Sequence, residues 1–174
     1  IPGVGGTGDR DLWVMPADGD RQPRPYLQTQ FNEAAPNFTP DGQWMAYVSN
    51  ESGSNEIFVR PFPNAGDRWQ VSTEGAGGPI WAQNGRELFY MNDNQLMVVD
   101  IETEPGFVAG APRLLFEDRF RPSTGNVASY DVSPDAERFV MIQDAATSDI
   151  EAQPDQVSVV LNWFEQLQEG APVP

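Results

Sequence analysis

Apolar and polar positions along the chain alternate in short runs, none long enough for an amphipathic helix until the C-terminal end. Leu12-Trp13-Val14-Met15, Trp44 to Ser49, Ile57 to Arg60, Trp69 to Ser72, Glu87 to Met91, Leu96 to Val99, Pro112 to Phe116, Arg138 to Ile142 and Val157 to Leu161 are rich in aromatic and β-branched residues. Such runs, bounded by Gly, Pro, Asn and Asp, predict strands. Pro25 to Gln30, Ile80-Trp81-Ala82 and Ser129 to Val132 predict further short strands.

A larger unit recurs over these strands. Asn37-Phe38-Thr39-Pro40-Asp41-Gly42 leads into Trp44 to Ser49, then a polar loop, then Ile57 to Arg60. Ile80 to Asn92, around Asn84-Gly85, and Asp131 to Gln143, around Pro134-Asp135-Ala136, repeat the order. Asp41 and Asn84 are 43 residues apart, and the third-strand starts Leu12, Ile57 and Leu96 are 45 and 39 apart. Four-stranded units of about 40–45 residues are the signature of propeller blades. The expected fold is therefore all-β: an arc of about three to four four-stranded antiparallel blades. Gly106 to Pro112, Phe120 to Val127 and Ala145 to Gln156 are expected to be loop insertions. Residues 1–10 are expected to be a Gly-rich lead-in, 11–168 the blades and 169–174 a loose tail, with a short helix starting at Asn162. The chain begins with Ile rather than Met, so it is expected to be a processed product or part of a longer polypeptide.

The run Ala35-Pro36-Asn37-Phe38-Thr39-Pro40-Asp41-Gly42, with Trp44 to Ser49 and Glu56-Ile57-Phe58-Val59, resembles the TolB-like β-propeller repeat. The ending Val159 to Leu167 resembles the C-terminal ends of bacterial proteins that join such propellers to kinase domains. The resemblance implies a periplasmic or extracytoplasmic sensor or interaction module. TolB-like rings usually close with six or more blades, and fewer are present here. The arc is therefore expected either to belong to a longer propeller or to be covered by a partner, because a bare apolar blade face is an interface or an aggregation hazard.

Charge narrows the function. The net charge is −16, and there is no lysine, histidine or cysteine. So acidic a chain repels phosphate backbones and anionic lipid, which argues against nucleic-acid or membrane-surface partners. A serine nucleophile would lack its histidine base, and no G-x-S-x-G elbow is present. Ser129 and Ser133 are then strand and turn residues. Gly3 to Gly8 satisfies G-x-G-x-x-G but leads into a strand rather than a helix, so it is expected to be a flexible lead-in. Acidic residues in turns are expected to be solvated, with Asp41 bonding backbone N–H groups of its turn. Asn50, Glu51, Ser54 and Glu56, and separately Asp149, Glu151 and Asp155, form oxygen-rich loops without the spacing of a known calcium loop, so no metal or other cofactor is expected. Four of the five tryptophans, Trp13, Trp44, Trp69 and Trp81, are expected to pack between blades.

The expected function is a non-catalytic protein–protein interaction or scaffold module. Its partner would be a protein bearing arginine or lysine, met by acidic loops. Candidate partner-binding residues are Trp163, Asn50, Glu51, Asp149 and Glu151. The alternatives are an accessory subunit of a larger, membrane-associated complex, and the propeller part of a peptidase without its catalytic domain.

Overall fold

The computed structural model describes residues 10–64, 66–123, 127–144 and the strand 157–160. The lead-in before residue 10, the helix expected at Asn162 and the tail lie outside the described residues. Fourteen strands and no helix are present among the described residues.

The strands form four antiparallel sheets, taken in chain order. β1 (Leu12–Val14) and β2 (Arg24–Leu27) make a two-stranded sheet. β3 (Glu33–Phe38), β4 (Trp44–Ser49), β5 (Glu56–Pro61) and β6 (Trp69–Gln70) make a four-stranded meander. β7 (Gly77–Trp81), β8 (Glu87–Asn92) and β9 (Gln95–Glu102) begin the next sheet. The outer edge of β9 is shared by β10 (Val108–Ala109) and β11 (Arg113–Glu117). β12 (Tyr130–Val132), β13 (Phe139–Ile142) and β14 (Val157–Val160) make the last sheet. Among the described residues, a four-stranded and a five-stranded sheet thus lie between a two-stranded and a three-stranded one, an all-β arc of antiparallel blades as expected.

Both faces of a complete blade are buried, which explains why its strands read as continuous apolar runs rather than alternating ones. Successive side chains point to opposite faces. On β4, Met45 and Tyr47 pack with Leu12 against the first sheet, while Ala46 and Val48 face the next blade. On β8, Leu88 and Tyr90 face back, while Phe89 and Met91 face forward to Tyr130, Phe139 and Met141.

One residue and one segment depart from the expected pattern. Trp13 was expected between blades, but it is 53% exposed. It follows Leu12 on a strand of period two, so burying Leu12 turns Trp13 to the outer face. Gly106 to Pro112 is not a plain loop, because Val108 and Ala109 pair with Glu102 and Ile101. Within it Phe107 is buried against Trp44 and Trp69, with ring centroids 5.2 and 5.0 Å away.

The outer faces of the arc carry exposed apolar side chains. Trp13 and Met15 lie at one end, and Val140 and Ile142 at the other.

The turn that marks each repeat has one hydrogen-bond plan in three copies. The N–H groups of Gly42, Gly85 and Ala136 donate to the carbonyls of Thr39, Ala82 and Ser133 at 2.8, 2.9 and 2.8 Å. Side-chain oxygens of Asp41, Asn84 and Asp135 accept from the N–H groups of Gln43, Arg86 and Glu137 at 2.9, 2.8 and 3.1 Å. This is the Asx turn, in which a short polar side chain mimics backbone. The position after it is left-handed, with φ of 69°, 69° and 58°. The first two copies hold Gly there and the third holds Ala136, which carries the steric cost of that conformation.

Candidate functional site

Because the same turn joins the first two strands of three successive sheets, the turns of neighbouring blades emerge at one edge of the arc. A Cβ on Gly85 would lie 3.9 Å from Cδ of Pro40, so the first two turns touch. The end of β9 and the hairpin after it, Asp100 to Glu104, rise beside them. Together these segments line a cleft of about 830 Å³.

The cleft is acidic. Asp41, Glu87, Asp100, Glu102 and Glu104 line it, with Arg86 as the single cation on its wall. Arg113 reaches Glu87 and Asp100 from β11 at 3.6 and 3.5 Å, which offsets part of that charge. The Thr39 hydroxyl, donating at 2.6 Å, and the Gln43 N–H hold the Asp41 carboxyl below its ordinary range, so it stays ionised. Glu102 and Glu104 are solvent-exposed. Such a surface suits a guanidinium or ammonium group, because exposed carboxylates accept bidentate hydrogen bonds from arginine.

The residues singled out from sequence fall elsewhere. Asn50 and Glu51 sit at the opposite end of β4 from the cleft. The Asn50 side chain accepts the Asn32 N–H at 2.9 Å, and Glu51 pairs with Arg68 at 2.5 Å. Both therefore have structural partners within the chain. Trp163, Asp149, Glu151 and Asp155 lie outside the described residues. Glu56, in the loop weighed for a cation, is a buried bracket. It accepts from the Ser54 hydroxyl at 2.9 Å, the Ser72 hydroxyl at 2.5 Å and the Gly75 N–H at 2.8 Å. Among the described residues, no three His, Cys, Asp or Glu side chains are grouped to hold a metal ion. Ser133 belongs to its turn, and the buried Ser129 hydroxyl donates to the Arg121 carbonyl at 2.5 Å.

Of the cleft residues, the sequence pattern singled out the Asp41 and Asn84-Gly85 turns, and for the hairpin rather than for a surface. The signal that could have found the rest was the repeat register itself, which places turns 43 residues apart on one edge.

The sheets and their order define an arc of β-propeller blades. No family model matches the chain, and no curated protein matches it. Solved structures do. A TolB from Agrobacterium tumefaciens superposes with a TM-score of 0.58 at 14% identity, over 86% of this chain and 51% of that one. A nidogen/laminin complex gives 0.52 at 12% identity, over 76% of this chain and 49% of its matched chain. A gluconolactonase from Xanthomonas campestris gives 0.50 at 16% identity, over 75% and 40%. The fold is TolB-like propeller. The chain spans about half the length, or less, of these structures.

Proposed function

We propose that this propeller arc is a non-catalytic interaction module whose acidic cleft seats an arginine- or lysine-bearing segment of a protein partner. The observation that carries this reading is the cleft between the Asp41 and Asn84 turns, where five carboxylates outnumber Arg86 on the wall and Arg113 reaching in from β11. The absence of histidine, cysteine and lysine from the sequence supports a binding role over acid–base or nucleophilic chemistry. The structures it resembles include both binding proteins and enzymes, and fold alone does not choose between them. The likeness to TolB supports, in this reading, a location outside the cytoplasm, and so does the resemblance of the Val159 to Leu167 ending to kinase-associated propellers. The exposed Trp13, Met15, Val140 and Ile142 favour a second reading, in which the arc is one piece of a larger assembly whose neighbours cover its ends.

The test is a titration by fluorescence anisotropy with a labelled arginine-rich peptide and an acidic peptide of equal length. The arginine peptide should bind, weaken with added salt, and lose at least about tenfold in affinity with Glu102→Arg plus Glu104→Arg. The remote pair Asp18→Arg plus Asp20→Arg should leave most of the affinity in place. Equal losses from both pairs would mean that overall charge, and not the cleft, attracts the peptide.

A further inference from the structure

The carboxylates of the cleft are not equally open to a cation. Glu87 and Asp100 stand directly opposite each other on β8 and β9, where two like charges repel. Arg113, opposite Val98 on β11, reaches across the middle strand to both of them. Its Nη2 lies 3.6 Å from Glu87 Oε1 and 3.5 Å from Asp100 Oδ1. Among the described residues, Asp41, Glu102 and Glu104 have no arginine at ion-pair distance, and Arg86 has no carboxylate there. The cleft is thus divided into two contested carboxylates and three open ones.

Arg113 holds its pair loosely. Charge-assisted bonds between guanidinium and carboxylate close at about 2.7–2.9 Å, and neither contact comes so near. The Arg113 side chain is 47% exposed, so it can turn to water at small cost. What it leaves behind suits another guanidinium. Directly paired residues hold their Cβ atoms about 4.5–5.5 Å apart, close enough for one planar fork to serve both, as Arg113 does.

We propose that Arg113 is a built-in competitor for the partner's guanidinium, holding the Glu87–Asp100 pair until an incoming arginine displaces it. The inference rests on the cleft being the binding surface, and adds which of its carboxylates are won by exchange. Asp41, Glu102 and Glu104 supply the first attraction. A weakly basic segment then meets a competitor already in place, whereas a segment bearing several arginines displaces it.

The test measures binding of the labelled arginine-rich peptide by fluorescence anisotropy at low salt, with circular dichroism following the fold and Tm of each variant. Arg113→Gln should bind at least about threefold more tightly than the unaltered chain. Arg24→Gln removes the same charge from the exposed surface of β2, away from the cleft, and should leave the affinity near its original value. The gain from Arg113→Gln should disappear in a chain that also carries Glu87→Gln and Asp100→Asn. Equal gains from Arg113→Gln and Arg24→Gln would trace the effect to net charge and overturn the competitor. So would an unchanged affinity with a lowered Tm, which would leave Arg113 as a structural bridge between two strands. If Arg113→Gln does not fold, Arg113→Lys stands in: it keeps the charge, gives up the fork and should gain less in the same direction, and no gain would count against the proposal. Binding that ignores Glu102→Arg plus Glu104→Arg would sink the cleft reading itself. Binding that responds to that pair but not to Arg113→Gln would sink this inference alone.

Discussion

The two seams between blades solve one packing problem with different residues. In the seam between β3–β6 and β7–β11, mostly aliphatic side chains from both sheets pack together with Trp81 and Tyr90, and Trp44, Trp69 and Phe107 form a separate cluster of rings against them. In the seam between β7–β11 and β12–β14, the rings lie inside the core, with Phe139 meeting Phe89 and Phe116 edge to face at 5.2 and 5.5 Å. Both seams are also tied at their innermost strands by an aromatic donor reaching a backbone carbonyl of the preceding blade. Trp81 Nε1 donates to the Asn37 carbonyl at 3.2 Å, and the Trp81 N–H donates to the Asn37 side chain at 3.2 Å. Tyr130 donates to the Gly78 carbonyl at 2.8 Å. The second tie sits where the chains pass closely. A Cβ on Gly78 would come within 2.8 Å of the Ala128 Cα and 2.7 Å of the Ser123 hydroxyl. What the two seams share is the geometry of the join, and the residue types are free to change once that geometry is met.

The largest test of this comparison removes the first tie. Trp81→Ala should destabilise the chain by about 3–5 kcal/mol, read from the urea midpoint, because it leaves a cavity and unpairs the Asn37 carbonyl. A loss below about 0.5 kcal/mol would put the first seam elsewhere. Gly78→Ala attacks the second seam through its close approach, and also strains a residue at φ 62°. It should cost about 3 kcal/mol, and the same change at the open, exposed Gly106 should cost far less. Tyr130→Phe keeps the ring but leaves the Gly78 carbonyl without its donor, for a loss of about 1–2 kcal/mol. If Tyr130→Phe is neutral, the two ties are not equivalent and packing alone holds the second seam.

Smaller effects come from the turns. Ala136→Gly should stabilise the last blade by about 0.5–1 kcal/mol, since its φ of 58° is one that glycine adopts without strain. The carboxyls of Asp41 and Asp135 are both held low, chiefly by the hydroxyls of Thr39 and Ser133 and then by backbone N–H groups. A folded-state value below the unfolded one contributes stability that is present above the unfolded value. That stability is lost as pH falls through the folded one. Asp41→Asn should therefore flatten the fall in urea midpoint between about pH 5 and about pH 3, where the unaltered chain loses this contribution.

Turn chemistry made most of the fold legible. Asp41-Gly42 and Asn84-Gly85 announce their hairpins because the side-chain oxygen and the left-handed glycine are both needed locally. The innermost strands were harder. Pro36 and the Gly77-Gly78-Pro79 run read as breakers, yet β3 and β7 accommodate them at bulges, where the pairing register shifts. Phe107 was hidden in a stretch rich in Gly and Pro, and its burial depends on Trp44 and Trp69 of another blade. The cleft was less legible still. Glu87, Asp100, Glu102 and Glu104 gather on one blade because β8 pairs with β9 and sets Glu87 opposite Asp100, while Asp41 joins them from the neighbouring blade; no local pattern encodes either step. Trp13 shows the opposite limit, since strand period told that one of Leu12 and Trp13 faces inward but not which.

The repeat turn has a consequence for how such a surface can change. Its hydrogen bonds close within six residues, Thr39 to Trp44 in the first copy, and none of them reaches across a seam. Residues on the outside of the turn, such as Gln83 and Arg86, can therefore be exchanged without disturbing either the hairpin or the blade contacts. Mutational drift at this rim would be nearly silent for folding while altering what the edge recognises. Descendants of one arc could in this way diverge in their choice of partner while keeping a common skeleton.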